Sequence, residues 1–432
     1  MDQNGKTEQD NLLAAKAYGE NVIGPVIYEY VTWILEYAAK MGLKTIYFLA
    51  RDGYLLRQAA EILCKKKEYP IQCRYLYCSR MALRMPTYWF IGDEAFELLL
   101  QGGFHITPYV LMRRLELDLE ERGRIYADTE ITDENKPLTF EEYMRFVEAV
   151  KKSKIYRQLL RCKSLSAYDN TIRYLKQEGL FDQDQVAIAD SGWSGSIQRS
   201  MRQLLEHAGF KGNVVGFYFG LYKEPKEAAD GVYLAYYFTP LSGLKRKVYF
   251  DNIVFECMLA APHGMTTGYV RDGEGWKPVL KQDMNEELSG RISEQIRGAL
   301  GFIEGVSDYK DRFILEKSIK KSYKVLKRAI LYPTGEELEA YCTFKFCDDV
   351  SESLSAALIQ RDKLLLVKND MLIPRIIAKL RKRNADSMDH AFWPFGLIRY
   401  IDDPAQLWYR WNIILLQYSR YFRMAVKEKT RI

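Results

Sequence analysis

Histidine is scarce in this chain, and its cysteines are not spaced for metal binding. Only four of the 432 residues are histidine, and the seven cysteines include no C-x-x-C pair. Structural zinc sites need such side chains at short, regular spacing. The sequence therefore excludes the common histidine and cysteine metal centres, and we expect the thiols to be structural. They are Cys64, Cys73, Cys78, Cys162, Cys257, Cys342 and Cys347.

Long apolar runs are also missing. A helix that crosses a bilayer needs about 18 consecutive apolar residues, and no stretch of the sequence reaches that length. The chain starts without an apolar leader, and its number of cysteines is odd. Both features are typical of proteins in the reducing cytoplasm. We therefore expect a cytoplasmic protein that does not cross a membrane.

Positive charge is concentrated at the C-terminus. The net charge is only +6, but residues 371–432 contain 12 Lys/Arg and 5 Asp/Glu. The rest of the chain is therefore close to neutral. No known nucleic-acid-binding motif accompanies the basic residues, so we expect no nucleic-acid partner.

A helix is predicted after Pro404, with apolar residues along one face and basic residues around it. Two interpretations stay open. The helix either packs into the core with a solvated basic face, or lies as a peripheral contact on an anionic membrane. The apolar residues are Leu407, Trp411, Ile414, Leu415, Tyr418 and Phe422, and the basic ones are Arg410, Arg420, Arg423, Lys427 and Lys429.

The first part of the chain has the pattern of a parallel β-sheet. An apolar stripe at helical spacing follows Gly24-Pro25 and ends at Gly42. Residues 45–50 are a continuous apolar run of strand length, a helix is predicted to about residue 66, and residues 73–78 form the next strand. This β-α-β order predicts a parallel sheet with right-handed crossovers.

The remaining pattern divides the chain into four parts. Residues 1–88 contain an N-terminal helix and the first half of an α/β core, and residues 89–180 form a helical insertion. Residues 181–288 complete the core, with strands at 186–190, 213–221 and 232–238. Residues 289–432 are predicted to be mostly helical, with the basic amphipathic helix at their end. The predicted fold class is α/β.

Two loops at the carboxyl ends of predicted strands are candidate binding sites, because ligands of open parallel sheets bind at that edge. The first loop is Ala50-Arg51-Asp52-Gly53. Its glycine lets the backbone approach an anion, and its arginine can donate charge-assisted hydrogen bonds to a phosphate. The same residues also suit an ordinary tight turn with a solvated Arg and Asp.

The second loop offers more hydrogen-bond donors. An apolar strand leads to an acid, which is followed by two glycines, three serines and a helix. Successive N–H groups and hydroxyls of this kind can surround a phosphate at a helix N-terminus. The acid before them is placed to accept hydrogen bonds from vicinal sugar hydroxyls. The loop consists of Asp190, Ser191, Gly192, Trp193, Ser194, Gly195 and Ser196.

Three segments resemble a known family. Residues 48–56, 77–80 and 190–196 read FLARDGYLL, YCSR and DSGWSGS, and they resemble the phosphoribosyltransferase domain of bacterial polysaccharide biosynthesis. The second loop is also similar to the PRPP-binding motif of type I phosphoribosyltransferases, although a single acid, Asp190, stands where that motif usually has two. The resemblance covers residues 20–270 and implies a phosphoribosyltransferase-like core.

The activity implied by the resemblance is transfer of 5-phosphoribosyl from phosphoribosyl pyrophosphate (PRPP) to a glycan acceptor of capsule or O-antigen synthesis. Mg²⁺ is the implied cofactor, and a separate haloacid-dehalogenase-like phosphatase would remove the phosphate afterwards. Arg51 would bind pyrophosphate, Asp52 a metal-bound water, and Asp190 the ribose hydroxyls. Glu256 would be the general base for the acceptor, or else an ordinary glutamate of a helix face.

The implied PRPP-binding set is larger than the catalytic one. Arg80 and Arg84 would close over the leaving group, unless they are solvated arginines at a strand end. The 5-phosphate would be held by the last three residues of the second loop. The full set is Ala50, Arg51, Asp52, Gly53, Arg80, Arg84, Asp190, Ser191, Gly192, Trp193, Ser194, Gly195 and Ser196.

Three other functions share parts of this pattern. A haloacid-dehalogenase-type phosphatase needs a second carboxylate two residues after its nucleophile, but Tyr54 follows Asp52 at that spacing and Gly192 follows Asp190. A serine hydrolase needs G-x-S-x-G, which the second loop lacks. A catalytically silent subunit that binds PRPP, nucleotide or glycan needs only the anion-binding loops, and turnover of PRPP distinguishes it from the transferase.

Overall fold

The structure, a computed structural model, describes most of the chain. The described residues are 8–102, 106–223, 231–282, 284–307, 312–341, 344–346, 356–359, 366–380, 390–400 and 404–430. Two of the predicted structural thiols, Cys342 and Cys347, lie outside these ranges. The free thiols within them are Cys64, Cys73, Cys78, Cys162 and Cys257.

Strands and helices alternate in the first half of the chain, and helices dominate the second. The strands are β1 (Thr45–Leu49), β2 (Gln72–Leu76), β3 (Gln185–Trp193), β4 (Asn213–Leu221), β5 (Val232–Phe238), β6 (Thr266–Asp272), β7 (Gly275–Leu280), β8 (Lys345–Phe346) and β9 (Ala356–Ala357). The helices before β3 are α1 (Glu8–Tyr18), α2 (Gly24–Lys40), α3 (Gly53–Lys67), α4 (Arg80–Arg84), α5 (Glu94–Leu99), α6 (Pro108–Arg113), α7 (Leu119–Thr129), α8 (Phe140–Lys152) and α9 (Lys154–Gln177). The later helices are α10 (Ser196–His207), α11 (Leu244–Val248), α12 (Asn252–Met258), α13 (Glu286–Gly305), α14 (Leu315–Leu331), α15 (Gly335–Tyr341), α16 (Leu366–Asn369), α17 (Leu372–Leu380), α18 (Pro394–Ile398) and α19 (Gln406–Lys429).

The central sheet has five parallel strands in the order β2-β1-β3-β4-β5. The α/β prediction and the parallel sheet are therefore confirmed. In this order the connection from β1 leads to β2 on one side, and the connection from β3 leads to β4 on the other. Doubly wound sheets with the order 2-1-3-4-5 have their topological switch point between β1 and β3.

Alternate residues of the central strands face opposite sides of the sheet. Ile46 and Phe48 belong to one core cluster, together with residues of α2, α3 and α13. Tyr47 and Leu49 belong to a second cluster, together with residues of α9 and α10. Helices cover both faces, as continuous apolar parallel strands require.

The helices between β2 and β3 bury a third cluster of their own. Phe96, Leu111, Phe146 and Tyr156 belong to it, and each is at most 4% exposed. Both α7 and α8 begin with a capping box, in which the N-cap side chain and a glutamate three residues later bond each other's backbone N–H. Local sequence therefore sets these helix starts, while the shared cluster holds the helices together.

An antiparallel hairpin, formed by β6 and β7, was not expected from the sequence. Its turn follows Asp272, and Gly273 has a φ of +58°, a left-handed conformation that glycine adopts without strain. The hairpin packs against α9, where the Gln177 side chain donates to the Trp276 carbonyl at 2.9 Å. The missed signal is the two-residue turn Gly273-Glu274 between two short alternating runs.

The helical C-terminal part packs on the sheet face that α2 covers. Trp393 is fully buried there, and its indole N–H donates to the Ile330 carbonyl at 3.0 Å. In α19, Ile414 is buried, but Trp411 and Leu415 of the predicted apolar face are exposed. Most of that face therefore does not pack into the core. No helix in the described part of the chain has the length and apolar character of a membrane span.

Candidate active site

The ends of β1 and β3 separate at the carboxyl edge of the sheet. Pairing of the two strands reaches only to Phe48 and Ala189, and β1 ends at Leu49. β3 continues beside β4 to Trp193. The loop that follows β1 and the last residues of β3 therefore meet at the topological switch point, where sheets of this type bind ligands.

Asp52, at the start of α3, contacts the end of β3. Its carboxylate accepts a hydrogen bond from the Ser191 hydroxyl, which joins the two predicted loops directly. Burial raises the pKa of Asp52, whereas the hydrogen bond from Ser191 and the positive charges of Arg51 and Arg80 lower it. The structure thus places Arg51, Asp52 and Ser191 in one site.

Asp190 lies beside Asp52 and is buried, with 8% of its surface exposed. Loss of hydration, followed by the charge of Asp52, raises the pKa of the Asp190 carboxyl well above its ordinary value. The backbone N–H of Ser191 opposes this rise, and the charge of Glu256 adds to it. The carboxyls therefore resist ionising together, and a protonated carboxyl can donate a hydrogen bond.

Glu256 comes to the same site from α12, outside the sheet. The Trp193 indole N–H donates to its Oε1 at 2.5 Å. Burial and the charge of Asp52 raise the pKa of Glu256 to about 7, and Arg80 and Arg51 partly offset this rise. Such a pKa suits a group that gains and loses a proton near neutral pH.

The site can be tested for a fit to Mg²⁺. No three His, Cys, Asp or Glu side chains in the described ranges are arranged to hold a metal ion by themselves. Mg²⁺ usually keeps several waters and takes one or two carboxylates together with substrate phosphates. Asp52 and Asp190 form such a pair of hard oxygen ligands, so these residues fit Mg²⁺ that arrives with a phosphorylated substrate.

The predicted phosphate loop is shorter than expected. The strand was predicted to end at residue 190, but β3 extends to Trp193 because β4 continues beside it to Leu221. A Cβ atom at Gly192 would lie 2.4 Å from the carbonyl oxygen of Gly220 in β4. Gly192 therefore allows β3 and β4 to pair closely. The backbone up to Trp193 is paired with β4 in the sheet.

The rest of that loop leads directly into α10. Ser194 is exposed, Gly195 has a φ of +63°, and Ser196 begins a helix of 12 residues. The first N–H groups of a helix have no partner within it and attract anions. The part of the second loop that is suited to bind an anion is therefore the turn Ser194-Gly195-Ser196, whereas Ser191 binds Asp52.

The two arginines after β2 differ in their surroundings. Arg80 is exposed at the first position of α4, and its charge acts on Asp52 and Glu256. Arg84 lies one turn further along the helix, where burial lowers its pKa beside Tyr88. The structure thus brings Arg80 to the carboxyl cluster, and places Arg84 against the helices between β2 and β3.

Sequence reasoning missed an aromatic wall beside the first loop. The wall consists of Tyr54, Tyr75, Tyr77 and His263, which are half-buried and contact one another edge to face or at a tilt. The Tyr75 hydroxyl and His263 Nε2 lie 2.8 Å apart. Burial lowers the pKa of His263, and the charge of Arg51 adds to this, so the wall adjoins the first loop. The available signal was the spacing of Tyr75, on β2, and Tyr77, just after it, because residues two apart in an extended segment share one face.

Tyr30 belongs to the apolar stripe of α2 and also makes polar contacts. Its hydroxyl donates to the backbone carbonyl of Asp190 at 2.8 Å and to that of Phe217 at 3.1 Å. Helix α2 thereby ties β3 to β4 next to the site. An apolar stripe does not reveal which of its tyrosines makes such a bond.

Comparison of the chain with protein-family models and with curated proteins finds no match in either set.

Proposed function

We propose that this protein is a phosphoribosyltransferase with a phosphoribosyltransferase-like core, which transfers 5-phosphoribosyl from PRPP to a glycan acceptor and releases pyrophosphate. The observation that carries the proposal is the cluster of Asp52, Asp190 and Glu256 beside Arg51 and Arg80, at the switch point of the sheet. Its setting would be the synthesis of a surface polysaccharide such as capsule or O-antigen.

The charges of the cluster match the charges of this reaction. The bond between C1 of the ribose and pyrophosphate breaks, and a new bond forms between C1 and the acceptor oxygen. The sugar becomes oxocarbenium-like in between, as in other glycosyl transfers. The carboxylates of Asp52 and Asp190 would stabilise that positive charge, while Arg51 and Arg80 would bind the departing pyrophosphate.

Glu256 is the residue best suited to take the acceptor's proton. Its pKa of about 7 leaves part of the population ionised near neutral pH. The indole N–H of Trp193 orients the carboxylate by its hydrogen bond of 2.5 Å. The proton of the attacking hydroxyl would pass to Glu256 as the new glycosidic bond forms.

The other parts of PRPP would be held at the remaining elements of the site. The turn Ser194-Gly195-Ser196 at the start of α10 would bind the 5-phosphate, and Asp190 would accept hydrogen bonds from the ribose hydroxyls. Mg²⁺, when bound by Asp52 and Asp190, would neutralise charge on the pyrophosphate.

The acceptor would approach along the aromatic wall. Tyrosine and histidine rings offer flat surfaces that pack against sugar rings, and the wall adjoins Arg51 of the first loop. We place the protein in the cytoplasm, at the inner face of the membrane, because a lipid-linked acceptor and PRPP would meet there.

Hydrolysis of a phosphate monoester is a second candidate function, and one specific observation favours it. Neither predicted loop contains paired carboxylates by itself, but the structure forms a pair across the two loops, from Asp52 and Asp190. The spacing of carboxylates within each loop therefore no longer excludes a phosphatase. In such an enzyme one ionised carboxylate would attack phosphorus, and a protonated one would donate to the leaving group.

Mass spectrometry of the products separates these functions. The protein is incubated with PRPP, Mg²⁺ and a panel of lipid-linked or synthetic glycans. Gain of a phosphorylated pentose by the glycan supports the transferase, and gain of a pentose without phosphate shows that a hydrolytic site is also present. Binding of PRPP without any turnover indicates a silent binding subunit. Hydrolysis of PRPP or of other monoesters without transfer favours the phosphatase.

A further inference from the structure

Helix α19 exposes a row of large apolar side chains. Leu407, Trp411 and Leu415 follow one another at a spacing of four residues and are 66%, 63% and 49% exposed. Phe422 lies seven residues after Leu415, Val426 follows four residues later, and the two are 60% and 46% exposed. Residues four or seven apart lie on the same side of a helix, so the five form one apolar strip along its length.

A different side of α19 is packed against the protein. Arg410, Ile413, Ile414 and Tyr421 are buried, and the Arg410 guanidinium donates to a backbone carbonyl of α14. The helix therefore does not turn its apolar strip inward. Single exposed apolar residues are common, but a continuous row of them marks an interaction surface.

Basic side chains accompany the strip. Arg423 and Lys427 follow Phe422 and Val426 by one residue each, and both are exposed. Arg420 and Lys429 are exposed as well. The outward half of the helix is thus apolar along one strip and positively charged beside it. This pattern is complementary to a bilayer of anionic lipids, whose phosphates lie directly above the apolar chains.

We propose that the strip Leu407, Trp411, Leu415, Phe422 and Val426 binds an anionic lipid bilayer, with the helix lying in the plane of the surface. The apolar side chains enter the acyl boundary, and the basic residues contact lipid phosphates. The tryptophan suits the interface, because its large ring is apolar and its N–H is polar.

The buried side of α19 connects this surface to the carboxyl edge of the sheet. The Tyr421 ring stacks on Tyr222, with centroids 5.5 Å apart and an angle of 9° between the rings. The Tyr222 backbone N–H donates to the Trp193 carbonyl at 2.9 Å, and the Trp193 indole binds Glu256. If the proposed function holds, membrane binding brings the site to the lipid end of its acceptor.

Co-sedimentation with lipid vesicles tests the surface on the full chain. We expect binding to phosphatidylcholine vesicles that contain phosphatidylglycerol to be at least about tenfold tighter than to phosphatidylcholine alone, and to weaken with salt. Leu415→Glu combined with Phe422→Glu should lower binding about tenfold or more. The matched control is Phe140→Glu on α8, which changes a side chain that is 77% exposed and should leave binding unchanged.

Two results would overturn the proposal. One is equal binding, or no binding, to the two kinds of vesicle. The other is a dimer in light scattering that the α19 variant converts to a monomer, because the strip would then bind a second copy of the chain. The thermal shift by PRPP in the absence of lipid is measured on the same variant. Loss of vesicle binding with an unchanged shift supports the lipid surface, and a wild-type protein that binds vesicles but not PRPP contradicts only the proposed function.

Discussion

The Ser191 hydroxyl donates a hydrogen bond to the Asp52 carboxylate, across a separation of 139 residues in sequence. This bond joins the last part of β3 to the start of α3. It also lowers the pKa of Asp52 against the effect of burial. The hydrogen bond from Ser191 therefore holds the Asp52 side chain in position and favours its ionised form.

Asp190→Asn should separate activity from stability. We expect turnover to fall by roughly two to four powers of ten, because the ribose contacts and the charge opposite C1 are lost. The free energy of unfolding should not fall, since a neutral amide replaces a buried carboxyl whose ionisation is disfavoured by burial and by Asp52. Asp184→Asn, at an exposed position before β3, is the control and should change neither quantity. Full turnover by the Asp190 variant contradicts the assignment.

The pH dependence of transfer should report Glu256. A general base is active when ionised, so kcat/KM should rise with pH through a midpoint of about 7 and level off above it. Glu256→Gln should abolish this rise together with most of the activity, whereas Glu256→Asp should keep a rise with a shifted midpoint. If kcat/KM of the wild-type protein does not change between pH 5 and 8, Glu256 is not the general base.

Stability should also depend on pH, in the direction set by the buried acids. Burial raises the pKa of Asp251 and of Glu256 to about 7, and it raises the pKa of Asp52 and Asp190 as well. The native state therefore binds more protons than the unfolded state between about pH 4 and 7, and unfolding becomes easier as pH rises through this window. Urea midpoints at pH 5 and pH 8 measure the effect, of up to about 1.4 kcal/mol per pH unit and group. Glu256→Gln should reduce the slope, and an unchanged slope would contradict the raised pKa.

PRPP with Mg²⁺ should raise the melting temperature more than ribose 5-phosphate does. Ligands that bind the native state stabilise it, and pyrophosphate adds contacts to Arg51. Arg51→Met should remove most of the difference between the two ligands. Arg57→Met is the control, because Arg57 lies on α3, which follows the Arg51 loop, and pairs with Glu61 at 2.6 Å. An absence of any shift at millimolar PRPP argues against both the transferase and the binding subunit.

Gly192→Ala should destabilise the sheet more than an ordinary substitution of a glycine with positive φ. Its Cβ would meet the Gly220 carbonyl oxygen at 2.4 Å, and its φ is +114°. Gly209→Ala is the matched control, since Gly209 has a φ of +92° but a Cβ there would contact nothing within 4 Å. We expect the Gly192 variant to lose about 1–3 kcal/mol more in chemical denaturation. Equal losses would show that close pairing of β3 and β4 is not the reason for the glycine.

The sequence by itself determined the class of fold and the position of the two loops. Continuous apolar runs such as residues 45–50 can be satisfied only in a sheet covered on both faces, and they do not depend on distant residues. The positions of the loops follow from the same apolar runs, because residues at or just after the end of a strand lie at the edge of the sheet. Arg51-Asp52-Gly53 and Asp190-Ser191 are such residues. The end of β3 was misjudged, since its last residues are strand only because β4 continues beside them.

Only the tertiary structure decided which side chains meet. The strand order, which puts β3 next to β1, brings Ser191 to Asp52, and α12 adds Glu256 from a segment whose own pattern is that of an ordinary helix. The aromatic wall and the exposed strip of α19 also depend on tertiary packing. Apolar residues of α19 occur around more than one side of the helix, so periodicity alone does not tell which side is buried. Packing of Ile414 and Tyr421 against the rest of the protein settles that choice and leaves Trp411 and Leu415 outside.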